Sequence, residues 1–228
     1  NYEKFISLFD YYCKEVVTYK DIINAKHKAY FKAWDNNSNA GNMKFVAWHD
    51  SAGFYISNHS KFFDEFDDSF WIYPVRNVYG YIGSEKTRLA RRYFGSRRFP
   101  RIRFPNIFVK RFNNYDLNAH INSWRAAYTR VVLFQEKYKI NERFLVYSYE
   151  NLVNNTEDVM KTICQKINLN FDESLLEPTL ARNPWGGSSH QGKQSGVNSH
   201  LADYYTEVLT EDEITRINKE CLPLVKVL

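Results

Sequence analysis

Two short apolar runs, Phe70-Trp71-Ile72-Tyr73-Pro74-Val75 and Arg143-Phe144-Leu145-Val146-Tyr147-Ser148, stand among long stretches of helical periodicity. They are rich in aromatic and β-branched residues and have the length of strands, not helices. Near-continuous apolar character is what a parallel strand covered on both faces requires. Pro74 removes a ladder donor and is therefore expected at the end of its strand. A third run, Lys44-Phe45-Val46-Ala47-Trp48, predicts another strand. Helical spacing predicts one or two helices over Tyr2 to Trp34, then helices over Ile56 to Phe66, Val78 to Phe94 (despite Gly80 and Gly83) and Leu117 to Tyr138. Thr156 is placed to cap a helix running through Val159, Met160, Ile163 and Ile167. Thr210 and Glu213 form a capping box for a last helix, Thr210 to Leu222. Strands alternating with helices predict an α/β fold, a mostly parallel sheet flanked by helices. The 228 residues are read as a single domain, 1–228.

Composition narrows the class. At 44% hydrophobic and 25% charged residues the chain is neither disordered nor fibrous. Its longest apolar runs are far too short to cross a bilayer, so no membrane span is expected. Cys13, Cys164 and Cys221 are odd in number, widely spaced and without a CxxC pair, which predicts no metal site and no disulfide framework. A reducing, cytoplasmic location is expected; a Golgi-type lumen is the alternative, in which the sequons at Asn36, Asn58 and Asn154 would matter. The chain opens at Asn1 without Met, which is read as a sign that an upstream piece is missing.

Charge is concentrated. The formal net charge is +5, yet Lys86, Arg88, Arg91, Arg92, Arg97, Arg98, Arg101, Arg103, Lys110 and Arg111 lie in one stretch that contains no Asp or Glu. Residues 86–112 form this basic excursion, and Phe99 to Phe112, aromatic and broken by Pro, reads as irregular. Such a field draws anions: a nucleotide, a sulfated or carboxylated glycan, nucleic acid or an acidic membrane; the plain alternative is a solvated helix face paired with carboxylates elsewhere in the fold. Residues 182–200 form a Gly/Ser-rich loop.

Arg76 follows the first strand at the carboxyl edge, where open α/β sheets place their ligands, and Ser84 lies eight residues on. A guanidinium and a hydroxyl so spaced can clasp one phosphate. Around them the order is apolar strand, Val75-Arg76-Asn77, Ser84, basic helix. Then come Phe144-Leu145-Val146-Tyr147, Tyr149-Glu150-Asn151-Leu152, Ile163-Cys164, Leu169-Asn170-Phe171-Asp172 and Asn183-Pro184-Trp185-Gly186-Gly187-Ser188-Ser189. From about Lys44 to about Ser189 this series resembles the sulfotransferase family, most closely its bacterial-type branch. The resemblance implies a P-loop NTPase-like sulfotransferase fold. It also implies an enzyme that moves a sulfuryl group from 3′-phosphoadenosine 5′-phosphosulfate to a hydroxyl or amine, leaving adenosine 3′,5′-bisphosphate. Residue by residue, it implies that Arg76 and Ser84 bind the donor's 3′-phosphate and that Tyr149 approaches the adenine. Trp185, Gly186, Gly187 and Ser188 would close over the nucleotide, with Arg182 and Lys193 adding charge.

The chain departs from that family in its phosphate loop. Gly80-Tyr-Ile-Gly83-Ser-Glu-Lys86-Thr87 is the nearest imitation, but two residues separate its second Gly from Lys86. The loop and its strand are expected upstream of Asn1; the alternative is a degenerate, non-catalytic relative. For the general base, His49 follows the Lys44 to Trp48 strand as a histidine does in the cytosolic branch of the family, and Asp50 is the second choice; the plain alternative is that His49 caps a strand end. His120, with Trp124 at i+4, reads as packing. The Arg and aromatic residues of Phe99 to Phe112 suit a sugar or anionic glycan as acceptor. Expected partners are therefore the nucleotide donor and a small-molecule or carbohydrate acceptor, with no nucleic acid. Two rival functions remain: a polyanion or nucleic-acid binding module built on Lys86 to Arg111, and a kinase-like phosphotransferase, for which no phosphate loop or magnesium carboxylates can be placed.

Overall fold

The computed structural model describes residues 1–16, 18–34, 63–94, 105–138, 142–180, 183–184 and 196–225. The chain falls into two compact units, Asn1–Ser69 and Phe70–Leu228. The strand expected at Lys44 to Trp48 and most of the helix expected at Ile56 to Phe66 lie outside the described residues.

In the first unit, α1 (Tyr2–Tyr12) and α2 (Tyr19–Trp34) are separated by a 3-10 turn, Cys13–Glu15. Ala25, Ala29 and Ala33 recur every fourth residue of α2 and are buried, a stripe of small side chains that lets a neighbour approach closely. Phe5 at the start of α1 meets Trp34 at the end of α2, with ring centroids 5.5 Å apart, so the two helices run antiparallel. Lys20 ties the start of α2 to the end of the unit: its N–H donates to Glu65 at 3.0 Å, and its ammonium lies 2.9 Å from both Asp67 and Asp68.

The second unit is mixed α/β and helix-rich. Its order is β1 (Trp71–Val75), α3 (Val78–Tyr93), α4 (Asn106–Arg111), α5 (Leu117–Lys137), β2 (Phe144–Ser148), α6 (Tyr149–Asn154) and α7 (Thr156–Lys166). There follow a 3-10 turn at Glu173–Leu176, β3 (Thr179–Leu180), β4 (Asn183–Pro184), α8 (His200–Asp203), α9 (Tyr205–Val208) and α10 (Glu211–Val225). Among the described residues, β1 and β2 form a two-stranded parallel sheet with Trp71 opposite Phe144 and Val75 opposite Ser148. Asn183 and Pro184, which the sequence assigns to a loop, pair antiparallel with Thr179 and Leu180.

Three expectations about β1 and the basic excursion are corrected. Pro74 is not at the strand's end but pairs in register with Tyr147. The Trp71 N–H donates to the Arg143 carbonyl at 2.7 Å, so by alternation the Pro74 nitrogen faces away from β2 and its missing donor costs this ladder nothing. Nor is β1 covered on both faces: half-buried Trp71, Tyr73 and Val75 alternate with exposed Ile72 and Pro74. Finally, Asn106–Arg111 of the supposedly irregular excursion is a helix, held by buried Val109 and Phe112.

The core is set by helical stripes. Val78 and Ile82 of α3 pack with Ile121, Trp124 and Tyr128 of α5 and with Ile217 and Cys221 of α10, all nearly or wholly buried. Each such aliphatic side chain contributes about 1.5–3 kcal/mol by leaving water. The capping box of α10 forms as expected: Thr210 N–H donates to Glu213 at 2.7 Å and Glu213 N–H to the Thr210 hydroxyl at 3.3 Å. Thr156 does not cap α7. It is the first helical residue, and its hydroxyl turns back to donate to the Leu152 carbonyl at 2.8 Å. Cys13, Cys164 and Cys221 are free thiols.

Candidate functional site

Parallel pairing brings the carboxyl ends of β1 and β2 to one edge, and each strand passes almost directly into a helix there. Asn77 caps α3, its side-chain oxygen accepting from Gly80 N–H at 2.6 Å. Ser148 caps α6 by accepting from Asn151 N–H at 3.0 Å. Arg76 lies in the short link between β1 and α3.

Its surroundings are unusual for an arginine. The guanidinium carbon stands 5.0 Å from the centre of the Tyr149 ring, a cation–π contact. The Nε atom is buried with no hydrogen-bond partner, and among the described residues no carboxylate pairs with the guanidinium. A buried donor without an acceptor costs about 1–3 kcal/mol. Gly80 makes room for it: a Cβ built there would come within 3.0 Å of Arg76 Nε. Ser84 follows Gly80 by one helical turn, about 6 Å along the axis, on the same face of α3, and it is exposed.

The backbone beneath Arg76 is held on both sides of one peptide group. The Trp124 indole donates to the Arg76 carbonyl at 3.0 Å. The next amide, Asn77 N–H, donates to both carboxylate oxygens of Glu150, at 3.1 and 3.3 Å. Arg76, Tyr149 and Ser84 are thus on described elements, the first two in contact. His49, Asp50, Trp185, Gly186, Gly187, Ser188, Arg182 and Lys193 lie outside the described residues. Gly80, Trp124 and Glu150 escape sequence reasoning; the one available hint is that Glu150 adjoins Tyr149 in the quoted Tyr-Glu-Asn-Leu segment.

The basic stretch is partly dismantled by the fold. Lys86 is fully buried, its ammonium donating to the Lys110 carbonyl at 2.9 Å and to Glu213 at 2.8 and 2.9 Å. Tyr115 OH adds a 2.6 Å bond to the same carboxylate. Burial pushes the Lys86 ammonium below the ordinary lysine value. Burial raises the Glu213 carboxyl, but bonds from Lys86, Tyr115 and Thr210 outweigh this and hold it below its usual range. Arg88 pairs with Glu85 at 2.6 Å. Lys86 is therefore a structural cation, and Arg97, Arg98, Arg101 and Arg103 fall outside the described residues. His120 lies against the rings of Tyr81 and Tyr115, as packing demands.

A groove of about 610 Å³ runs on another flank, between β2, α6 and α7, lined by Gln135, Leu145, Tyr147, Asn155, Thr162 and Lys166 among others. Arg76 is not part of it. Among the described residues no group of three His, Cys, Asp or Glu side chains is placed to hold a metal, and no helix is long and apolar enough to cross a membrane.

No protein-family model matches the chain, and no curated protein matches it. Among solved structures it is similar to the sulfotransferase domain from the curacin biosynthetic pathway, with 21% identity and a TM-score of 0.44 over 68% of this chain. The match spans 53% of that domain, about half its length.

Proposed function

We propose that this chain is a sulfotransferase that uses 3′-phosphoadenosine 5′-phosphosulfate, and that Arg76 with Ser84 grips the ribose 3′-phosphate. The observation that carries the reading is Arg76 itself. It is a half-buried cation at the shared carboxyl edge of two parallel strands, stacked on Tyr149, with no carboxylate partner among the described residues. The order of motifs along the chain supports it. A half-buried guanidinium that no described carboxylate neutralises fits a phosphate, and the tyrosine beneath it fits the neighbouring adenine.

The donor supplies the sulfuryl group. In the family's in-line displacement a bond forms from the acceptor oxygen or nitrogen to sulfur as the bond to the bridging phosphate oxygen breaks. The chain's own part is to hold the nucleotide through Arg76, Ser84 and Tyr149, to cover it with Trp185 to Ser188, and to take the acceptor's proton on His49, with Asp50 as second candidate. A polyanion-binding module is the weaker reading, because Lys86 and Arg88 of its cluster are engaged within the fold.

Calorimetric titration with adenosine 3′,5′-bisphosphate tests the reading. A hydrogen bond to a charged group is worth about 1.5–3 kcal/mol, so Arg76→Ala is expected to weaken binding roughly 10- to 100-fold and Ser84→Ala several-fold. Unchanged affinity in both variants would overturn the assignment.

A further inference from the structure

Glu150 and Trp124 hold the two ends of a single peptide group. The Arg76 carbonyl and the Asn77 N–H belong to the same amide plane; the first accepts from Trp124 at 3.0 Å and the second donates to Glu150 at 3.1 and 3.3 Å. An amide pinned at both oxygen and nitrogen cannot rotate about its flanking bonds without losing one of these contacts. Its orientation fixes where the Arg76 side chain leaves the backbone, and hence its passage over Gly80 onto Tyr149.

We infer that Glu150, with Trp124 opposite it, is a positioning residue that sets the pose of Arg76 for anion binding. The inference deepens the proposed function and rests on it for the identity of the anion. Glu150 bonds to no ligand in this scheme. Its carboxylate faces the backbone, and its charge is engaged by Asn77 N–H at the first turn of α6, where a carboxylate also complements the helix dipole. One dipeptide, Tyr149-Glu150, thereby holds the guanidinium through its first ring and the supporting amide through its second side chain. Gln retains a side-chain oxygen that can accept from the same amide; Ala does not.

The test compares wild type, Glu150→Ala, Glu150→Gln and Arg76→Ala in titrations with adenosine 3′,5′-bisphosphate and adenosine 5′-monophosphate. Glu150→Ala should weaken the bisphosphate about tenfold, the loss expected of a misplaced charged hydrogen bond, and leave the monophosphate nearly unchanged. Glu150→Gln should restore most of the loss. Equal weakening of both nucleotides, or none, overturns the inference, since a merely structural role would not single out the 3′-phosphate. Should Arg76→Ala leave wild-type affinity intact, the functional reading fails instead. The positioning claim is then decided without ligand by a crystal structure of Glu150→Ala. A guanidinium that has left the Tyr149 ring supports it; one still 5.0 Å from the ring centre overturns it.

Discussion

Gly80 decides at the scale of one atom whether Arg76 can lie where it does. Alanine at a helix interior is ordinarily better than glycine by about 0.5–1 kcal/mol, yet here its Cβ would meet Arg76 Nε at 3.0 Å and Asn77 Oδ1 at 3.1 Å. Gly80 lies in the first turn of α3, where strain on the Asn77 cap offsets the helical gain of alanine, so Gly80→Ala is expected to leave the melting temperature little changed while weakening the bisphosphate several-fold, a split that paired melting and titration experiments would reveal. Lys86 shows the opposite side of the same scale. Glu213→Ala would strand a fully buried ammonium and should cost about 3–5 kcal/mol in urea unfolding. Lys86→Met should cost less, because Glu213 keeps its bonds from Tyr115 and Thr210. The pH sign follows from the lowered Glu213 carboxyl: its stabilisation is complete above the ordinary carboxylate value and is lost as pH falls through the lower folded value. Only acid below the ordinary carboxylate value should thus narrow the gap between wild type and Glu213→Ala. In the sequence Lys86 is one of ten basic residues in the 86–111 stretch, and nothing local reveals a partner 127 positions away.

Among the elements, α3 carries two glycines with different duties. Gly80 faces Arg76, whereas Gly83 faces α9, where a Cβ would come 3.1–3.2 Å from Tyr205 and Val208 atoms, one of them backbone. Backbone cannot swing aside as a long side chain can, so Gly83→Ala should destabilise by about 1–3 kcal/mol in chemical unfolding without a selective loss of nucleotide binding. The elements most legible in the sequence are those written in local chemistry. The stripe Val78 to Ile82 marks α3, the repeat through Ile121, Trp124 and Tyr128 marks α5, and Thr210 with Glu213 marks the start of α10. Less legible are features fixed by what packs from afar. Asn106–Arg111 is helical because Val109 and Phe112 find a core against Ala90 and Val208, which its Arg and Pro content conceals. Thr156 has the composition of a cap, but the preceding helix offers its hydroxyl the Leu152 carbonyl instead. Of the candidate site, Arg76 could be picked out because a cation follows an apolar run. Trp124 and Glu150 could not, since their partners are backbone atoms that no side-chain pattern encodes.

At the scale of the whole chain, the parallel pairing of β1 with β2 joins residues 73 positions apart, with α3, α4 and α5 between them. Closing so long an excursion is entropically slow and must precede any contact across the strand ends. Arg76 belongs to the early arm of that excursion and Tyr149 and Glu150 to the late one. A chain that has formed its helices but not yet zipped its two strands would hold every residue of the phosphate grip and none of its geometry. Competence to recognise the nucleotide should then emerge in one step, with sheet closure, and not grow gradually with helix content during refolding.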